Sequence, residues 1–200
     1  MTTFGSAGGQ DMAELIRVIL LNGAAAVAAV PIAASTDYEA GFAVLEGQEN
    51  VSVVVCDSTT QTDQQDLRDS VAAASAARRE RIAVVGGAAS ETVTNLISRA
   101  AALNSERVVL VAPGGTDEDG TALSGITAAA AVAGAIAAQS DPALPLSGAE
   151  LTGLHGLSQQ YNDNDIDMLV RCGVTPLESV AGVVSVVRGV PTRTSTGESP

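Results

Sequence analysis

The chain has 200 residues, of which 46% are hydrophobic and only 2% are aromatic. This length suits one well-buried domain, and a core without aromatic rings must be built from valine, isoleucine, leucine and alanine, the composition favoured by a sheet covered by helices on both faces. All ten basic residues are arginine and the formal charge is −13, which argues against DNA or RNA as a direct partner because nucleic-acid binding depends on clustered positive charge.

Local sequence disfavours three further classes of protein. Cys56 and Cys172 lie far apart and have no CxxC partner, so neither a zinc site nor a redox motif is indicated, and both are expected to be buried. No charged segment followed by an apolar one opens the chain, so no secretory signal is predicted and the cytoplasm of the producing cell is the expected location. The apolar run over 126–138 has thirteen residues, fewer than the about 20 that a membrane span needs.

The first predicted elements are a helix and two strands. Asp11 and Glu14 resemble a capping box that begins a helix over 11–22. The apolar run AAVAAVPI over 25–32 predicts a strand, although alanine dilutes the strand signal. The β-branched run VSVVVC over 51–56 predicts a second, buried strand.

Two helices and two strands then alternate. Thr62 and Gln65 can cap the first of these helices, and Ser90 can cap the second. Strands are predicted over 82–85 and 108–112, each closed by a glycine turn. The residues expected on the buried faces of the two helices are Leu67, Val71, Ala74, Val93, Leu96, Ile97, Ala100 and Leu103.

The segment TALSGITAAAAVAGAIAAQSDP over 121–142 contains a helix that is almost entirely alanine. Alanine is the best helix former, and its small side chain lets a helix approach its neighbour closely. We therefore predict a helix pressed against the sheet. Its expected buried stripe is Ile126, Ala129, Ala133 and Ile136.

The last predicted elements are a helix and a strand. Asn162 or Asp163 is expected to cap a helix over 163–172, and VAGVVSVV over 180–187 predicts a strand. Together the elements predict an α/β fold, with a mostly parallel sheet and helices on both faces. The expected divisions are a flexible start over 1–10, one α/β domain over 11–188 and an extended or mobile tail over 189–200.

A Ser-His-Asp triad would have to use His155, the only histidine. Ser124, Ser147 and Ser158 lie in the same half of the chain, but no GxSxG motif supplies the sharp turn of a hydrolase nucleophile. Three serines near one histidine are expected by chance in a chain rich in serine. An α/β hydrolase that uses His155 is therefore kept only as an alternative function.

Glycine pairs offer a second alternative, a nucleotide-binding domain. Gly86-Gly87 and Gly114-Gly115 each follow a predicted strand and precede a helix, whose N-terminus attracts anions. Neither pair matches the GxGxxG or the P-loop pattern. Tight turns between a strand and a helix also require glycine, so a structural role explains both pairs.

The remaining charged groups have structural explanations. The acidic run over 163–167 has the carboxylate spacing of a calcium loop, but Met168 and Val174 stand where that loop needs glycine and glutamate. Capping of the following helix explains these acids, and the run over 117–119 is predicted to be a solvated loop, with weak metal binding as its alternative. The basic cluster Arg78, Arg79 and Arg81 beside Glu80 is expected at a helix end, where cations are favoured. From residue chemistry we predict no catalytic, cofactor-binding or metal-binding residues.

The order of small residues in the second half resembles the contractile tail sheath proteins of myophages and phage-tail-like particles. In that family a helix containing Ala-Gly is followed by a Pro-rich connection, a Leu-Gly segment, a helix ending in Gly-Val and a strand that leads to Arg-Thr. The segment LIRVILLNGAAAVAAVPI also resembles the start of the family's core domain. The matching positions are Ala133-Gly134, Asp141-Pro142, Pro145, Leu151, Gly153, Gly156-Leu157, Leu169, Gly173-Val174 and Arg193-Thr194.

This resemblance implies a structural subunit and not an enzyme. It implies a subtilisin-like sandwich without a catalytic triad, helical rings of subunits around an inner tube, and contraction that drives the tube through a cell envelope. The implied partners are other sheath subunits and the tube protein, with no cofactor, nucleic acid or membrane insertion. The implied location is a virion tail or phage-tail-like particle assembled in the host cytoplasm. Family members usually carry terminal arms that exchange strands between neighbours, and this chain stops at the Arg-Thr element, so we expect it to lack them.

Overall fold

The architecture is that of a computed structural model, which describes residues 12–32, 34, 36–141 and 144–194. The helices within these residues are α1 (Met12–Leu21), α2 (Tyr38–Glu46), α3 (Gln61–Ala76), α4 (Val93–Leu103), α5 (Gly125–Ala138) and α6 (Asp163–Arg171). The strands are β1 (Val53–Val55), β2 (Ile82–Gly86), β3 (Val108–Ala112), β4 (Gly115–Thr116), β5 (Glu150–Leu151), β6 (Gly156–Leu157), β7 (Val174–Val180) and β8 (Val183–Val186). No helix in the described part is long and apolar enough to cross a membrane.

Six strands form the main sheet, in the order β1-β2-β3-β7-β8-β5. The first four are parallel, whereas β8 and β5 are antiparallel to their neighbours. β4 and β6 form a separate two-stranded sheet. The predicted α/β fold with a mostly parallel sheet is thus confirmed, and the subtilisin-like arrangement stays a prediction.

Residues of β2 alternate between two hydrophobic clusters, as side chains on a strand must. Val84 packs into the cluster formed with α1 and α5, whereas Ala83 and Val85 pack into the cluster formed with α2, α3, α4 and α6. The sheet therefore lies between two layers of helices. Both faces are covered by aliphatic side chains, as the composition predicted.

The alanine helix α5 fills one of these layers. Every residue from Gly125 to Gly134 is buried, whereas Ile136 is only half-buried. The predicted stripe was therefore too narrow, because α5 lies between the sheet and α1 and buries more than one face. A Cβ atom at Gly134 would lie 2.4 Å from the carbonyl oxygen of Ile19 in α1, so only glycine permits this approach.

Most predicted elements are confirmed to within one to three residues, but two of the predicted helix caps were wrong. Thr60, and not Thr62 or Gln65, precedes α3, and Thr92, and not Ser90, caps α4 by accepting a hydrogen bond from Asn95 N. The spacing of apolar residues predicts that a helix is present but defines its first residue only to within one or two positions. The predicted cap of α6 is confirmed, because the Asn162 side chain accepts from Asp165 N.

The strand predicted over 25–32 is absent, and α2 was not predicted. Within the described residues, 25–32 pairs with no strand, and most of its alanines are exposed. Strand pairs depend on contacts between neighbouring side chains, which alanine barely provides. The sequence of α2, YEAGFAVLE, contains glycine and aromatic residues of low helix propensity. Packing of Phe42 in the second cluster stabilises this helix instead.

The strand predicted over 180–187 is confirmed only over 183–186, as β8, because the predicted range spans a turn between two strands. Ala181 and Gly182 both have positive φ, 52° and 83°, and they reverse the chain between β7 and β8. β7 was not predicted, because its VTPLESV sequence contains Pro176 and charged Glu178. The tail predicted from residue 189 is described as far as Thr194, and Thr192 within it is buried. Residues 1–11 and 195–200 lie outside the described residues, and the predicted divisions of the chain stay predictions.

Candidate functional site

The carboxyl ends of β1, β2 and β3 meet at one edge of the sheet, the place where α/β domains usually bind ligands. The chain there is Asp57-Ser58 after β1, Gly87-Ala88 after β2 and Pro113-Gly114 after β3. These positions include both predicted glycine turns. We call this part of the molecule the strand-end edge.

The glycine turns at the strand-end edge receive the start of α5. A Cβ atom on Gly86 would lie 2.1 Å from the backbone carbon of Gly125, and one on Gly114 would lie 2.2 Å from the carbonyl oxygen of Leu123. The first amide of α5, Gly125 N, donates to Gly87 O at 2.8 Å. The backbone at the start of α5 thus packs directly against both glycine turns. The glycines here permit close packing of backbone, and the nucleotide alternative is not supported.

A buried polar network fills the neighbouring part of the strand-end edge. Gln64 is fully buried, and its Nε2 donates to Ser58 O at 3.1 Å and to Gly86 O at 2.8 Å. Its Oε1 accepts from Arg99, whose guanidinium also forms an ion pair with Glu91 at 3.1 Å. Glu91 in turn accepts from Ala88 N at 2.7 Å. We call Gln64, Arg99 and Glu91 the edge network.

The edge network joins strand ends to helices and leaves its charges paired. Arg99 and Glu91 are only 11% and 10% exposed, so each would be costly to bury without the other. None of these three residues was predicted from the sequence. The available signal was the position of Gln64 on the same helical face as Leu67 and Val71, where a polar residue is unexpected.

His155 is not part of an assembled triad. Its side chain is half exposed, and its Nε2 lies 3.9 Å from Glu118 Oε1. Among the described residues, none of Ser124, Ser147 and Ser158 forms a hydrogen bond with His155, and the buried Ser158 hydroxyl has no partner. Ser124 lies at the N-cap of α5, and Ser158 N donates to Gly114 O at 2.8 Å. The geometry does not support the hydrolase alternative.

The carboxylates of the two acidic runs have structural roles among the described residues. Asp117 Oδ1 accepts from Asp119 N at 3.0 Å and from Thr121 N at 2.7 Å, so this carboxylate stabilises the turn after β4. The run over 163–167 forms the first turns of α6. Within the described part of the chain, no group of three or more acidic, histidine or cysteine side chains is placed to hold a metal ion.

The basic cluster follows the end of α3, as predicted, but its buried member bonds the end of a different helix. The prediction placed the cluster at the end of the helix that precedes it, α3. The side chain of Arg81 is instead buried and donates to Leu45 O at 2.6 Å, to Glu46 O and to Gln48 O. Arg81 therefore pairs with carbonyl groups at the end of α2, where the helix dipole favours a cation. Arg78 and Arg79 are exposed.

An apolar groove of about 290 Å³ lies between α1, α2 and residues 27–32. At its rim the Tyr38 hydroxyl donates to Asp57 Oδ1 at 2.7 Å, and burial raises the pKa of Tyr38. Burial also raises the pKa of the Cys56 thiol to about 12, which keeps this thiol protonated and unreactive at neutral pH. Cys56 is buried as predicted, whereas Cys172 is only half-buried.

The fold and the strand-end edge together define an α/β domain whose strand ends pack against its own backbone and against paired polar side chains. The sequence model of the phage tail sheath protein central domain matches residues 33–192 of the chain. The chain therefore belongs to the phage tail sheath protein family. Among curated protein sequences, none matches it.

Solved structures show the same fold. The sheath tail protein from Desulfitobacterium hafniense, known from a crystal structure, is 20% identical in sequence to this chain and matches it with a TM-score of 0.63. The match covers 86% of this chain and 37% of that protein. The sheath tail protein from Listeria innocua is 18% identical with a TM-score of 0.66, and the match covers 84% of this chain and 36% of that one. A chain of the helical sheath of the anti-feeding prophage in its contracted state is 13% identical in sequence, with a TM-score of 0.60. This match covers 92% of the present chain and 55% of the sheath chain. The chain thus spans about a third to about half of the length of these structures.

Proposed function

We propose that this chain is the central domain of a structural subunit of a contractile tail sheath. In this role copies of the subunit assemble in helical rings around an inner tube, and contraction of the sheath drives the tube through a cell envelope. The observation that carries the proposal is the family match over residues 33–192. The fold of this chain is also shared by a chain of the anti-feeding prophage helical sheath in its contracted state, which supports the proposal.

Close packing of backbone supports a role as a rigid building block. α5 contacts α1 through Gly134 and contacts the turn after β2 through Gly125, and in both places a Cβ atom would collide with backbone. Interiors packed this densely are hard to compress and transmit strain. The work of contraction would then come from changed contacts between subunits, and this mechanism requires no reacting group.

Charge supports a dependence of assembly on salt. Each chain carries a formal charge of −13, so copies repel one another at low ionic strength. Contacts between sheath subunits must overcome this repulsion. The proposed partners are other sheath subunits and the tube protein, and the proposed location is the tail of a virion or of a phage-tail-like particle assembled in the host cytoplasm.

Electron microscopy of the full-length gene product, expressed with the product of the adjacent gene, tests the proposal. We expect hollow tubes with a helical lattice at moderate or high salt and fewer tubes at low salt. The gene immediately downstream is expected to encode a small tube protein. Dispersed monomers at every salt concentration, with neither protein present in purified particles, would contradict the proposal.

A labelling experiment separates this function from the hydrolase. The protein is incubated with a serine-reactive fluorophosphonate, and the His155→Ala variant serves as the control. We expect no labelling of either protein, because no serine is hydrogen bonded to His155 among the described residues. Labelling of the wild type that disappears in the variant would favour the hydrolase.

A further inference from the structure

The chain after β8 is held to the domain by two reciprocal threonine pairs. We call residues 187–194 the C-terminal strap. Thr175 of β7 donates from its hydroxyl to Val190 O at 3.1 Å and accepts from Val190 N at 3.0 Å. Thr192 of the strap donates to Ser105 O at 3.0 Å and accepts from Ser105 N at 2.9 Å.

The two pairs are built in opposite directions. One threonine belongs to the sheet and bonds the backbone of the strap, whereas the other belongs to the strap and bonds the backbone of the segment before β3. We call Thr175 with Val190, and Thr192 with Ser105, the threonine clasp. Both threonines are buried, at 0% and 3% exposure. Loss of the Thr175 hydroxyl would leave Val190 N and Val190 O without this partner, and loss of the Thr192 hydroxyl would leave Ser105 N without it, whereas Ser105 O also accepts from Arg193 N.

Backbone contacts complete the attachment. Val187 N donates to Pro176 O at 3.0 Å, Thr192 N donates to Val108 O at 2.8 Å, and Arg193 N donates to Ser105 O at 3.1 Å. The strap therefore runs from β7 to the first residue of β3. A Cβ atom on Gly173 would lie 2.7 Å from Thr192 O, so the strap lies directly against the turn that begins β7.

We propose that the threonine clasp carries tension from the chain at Thr194 into β3 and β7. These two strands are neighbours at the centre of the main sheet. Tension along the strap is shared by the bonds at Val187, Val190, Thr192 and Arg193, so the strap stays attached while the domain moves as one body. Segments near the ends of domains are poorly ordered unless they are tied down, and the clasp provides that attachment. A role under tension rests on the proposed function in a contracting sheath, whereas the attachment itself does not.

Amide hydrogen exchange on the chain in solution tests the attachment. In the wild type the amides of Val190, Thr192 and Arg193 are expected to exchange as slowly as those of β3, because the strap opens only when the domain opens. Thr175→Val and Thr192→Val preserve the side-chain shape and remove the hydroxyl. Each is expected to accelerate exchange in the strap by about tenfold or more and to leave β3 unchanged.

Two further variants provide the controls. Thr192→Ser retains the hydroxyl and is expected to restore slow exchange in the strap. Thr194→Val alters an exposed threonine two residues away and is expected to leave exchange unchanged. Equal exchange rates in strap and β3 for all variants would overturn the proposal. Fast exchange of the strap in the wild type would also overturn it, even if a valine variant failed to fold.

A pulling experiment tests the tension itself. With one handle near residue 50 and the other at the C terminus, Thr192→Val is expected to lengthen at lower force than the wild type and Thr194→Val, before the domain unfolds. Equal force for the first lengthening in all three proteins would overturn the role under tension. Because both experiments use single chains, their outcome is independent of whether the gene product forms sheaths.

Discussion

The side-chain amide of Asn22 pairs with the backbone of Thr152 in both directions. Asn22 Nδ2 donates to Thr152 O at 2.8 Å, and Asn22 Oδ1 accepts from Thr152 N at 2.9 Å. Asn22 directly follows α1, and Thr152 directly follows β5 at the edge of the main sheet. This side chain thus connects the layer of α1 and α5 to the edge strand.

Replacement of Asn22 is expected to loosen that edge. Asn22→Ala removes both bonds to Thr152 and should lower the free energy of unfolding by about 1–3 kcal/mol, since each hydrogen bond contributes about 1 kcal/mol. Urea denaturation measures this loss. Asn95→Ala, at an exposed position of α4, is the matched control and should change stability by less than about 0.5 kcal/mol. Equal effects of the two variants would contradict this role of Asn22.

Glycine at position 134 is expected to be required by the contact between α5 and α1. In Gly134→Ala the new Cβ would lie 2.4 Å from Ile19 O, so the helices must separate, at a cost of about 3 kcal/mol or more. In an isolated helix the same change would stabilise the helix by about 1 kcal/mol, because alanine has the higher helix propensity. A loss of stability would therefore show that packing against α1 outweighs helix propensity. Gly47→Ala is the control, because a Cβ there would lie 3.5 Å from its nearest neighbour. Thermal or chemical denaturation of both variants measures the difference.

Arg81 is expected to stabilise α2 from outside that helix. Arg81→Met removes the cation that bonds Leu45 O, Glu46 O and Gln48 O and leaves these carbonyls partly buried, so it should cost about 2–4 kcal/mol. Hydrogen exchange should increase most in α2. Arg79→Met removes an exposed charge of the same cluster and should have little effect. An equal loss in both variants would indicate that net charge, and not the bonds to α2, is the cause.

Stability is expected to fall at alkaline pH, in part through Cys56. Burial raises the pKa of this thiol from its ordinary value of 9.0 to about 12 in the folded state. Between these values the unfolded chain releases the proton and the folded chain keeps it, so each pH unit lowers the free energy of unfolding by up to about 1.4 kcal/mol. This loss is absent below pH 9. Denaturation at several pH values should give a shallower slope above pH 9 for Cys56→Ala than for the wild type. Identical slopes would show that Cys56 titrates alike in both states.

Local patterns were sufficient for the elements whose signal lies in their own residues. β2 and β3 are short runs of β-branched and aliphatic side chains, and α4 carries its buried residues at helical spacing. The ordered glycine, proline and alanine positions also indicated the sheath family. Where two backbone segments approach closely, only a small residue fits, so single positions of the sequence indicate the contact.

Elements that depend on distant partners were not predicted. α2 is stabilised by the packing of Phe42 and by Arg81, which lies far away in the sequence. The turn at Ala181-Gly182 divides a continuous apolar run, and no residue of that run indicates by itself which strand it pairs with. The edge network was missed for the same reason, since Gln64, Arg99 and Glu91 come together only when α3 and α4 pack on the sheet.

The sequence alone therefore determined the class of fold, the aliphatic core and the alanine helix, because apolar periodicity and residue size are properties of neighbouring residues. Only the tertiary structure decided that the glycine turns receive the start of α5, that His155 has no serine partner among the described residues, and that the threonine clasp holds the strap. Each of these depends on the distance between groups far apart in the chain, and a hydrogen bond exists only when folding brings donor and acceptor to about 3 Å.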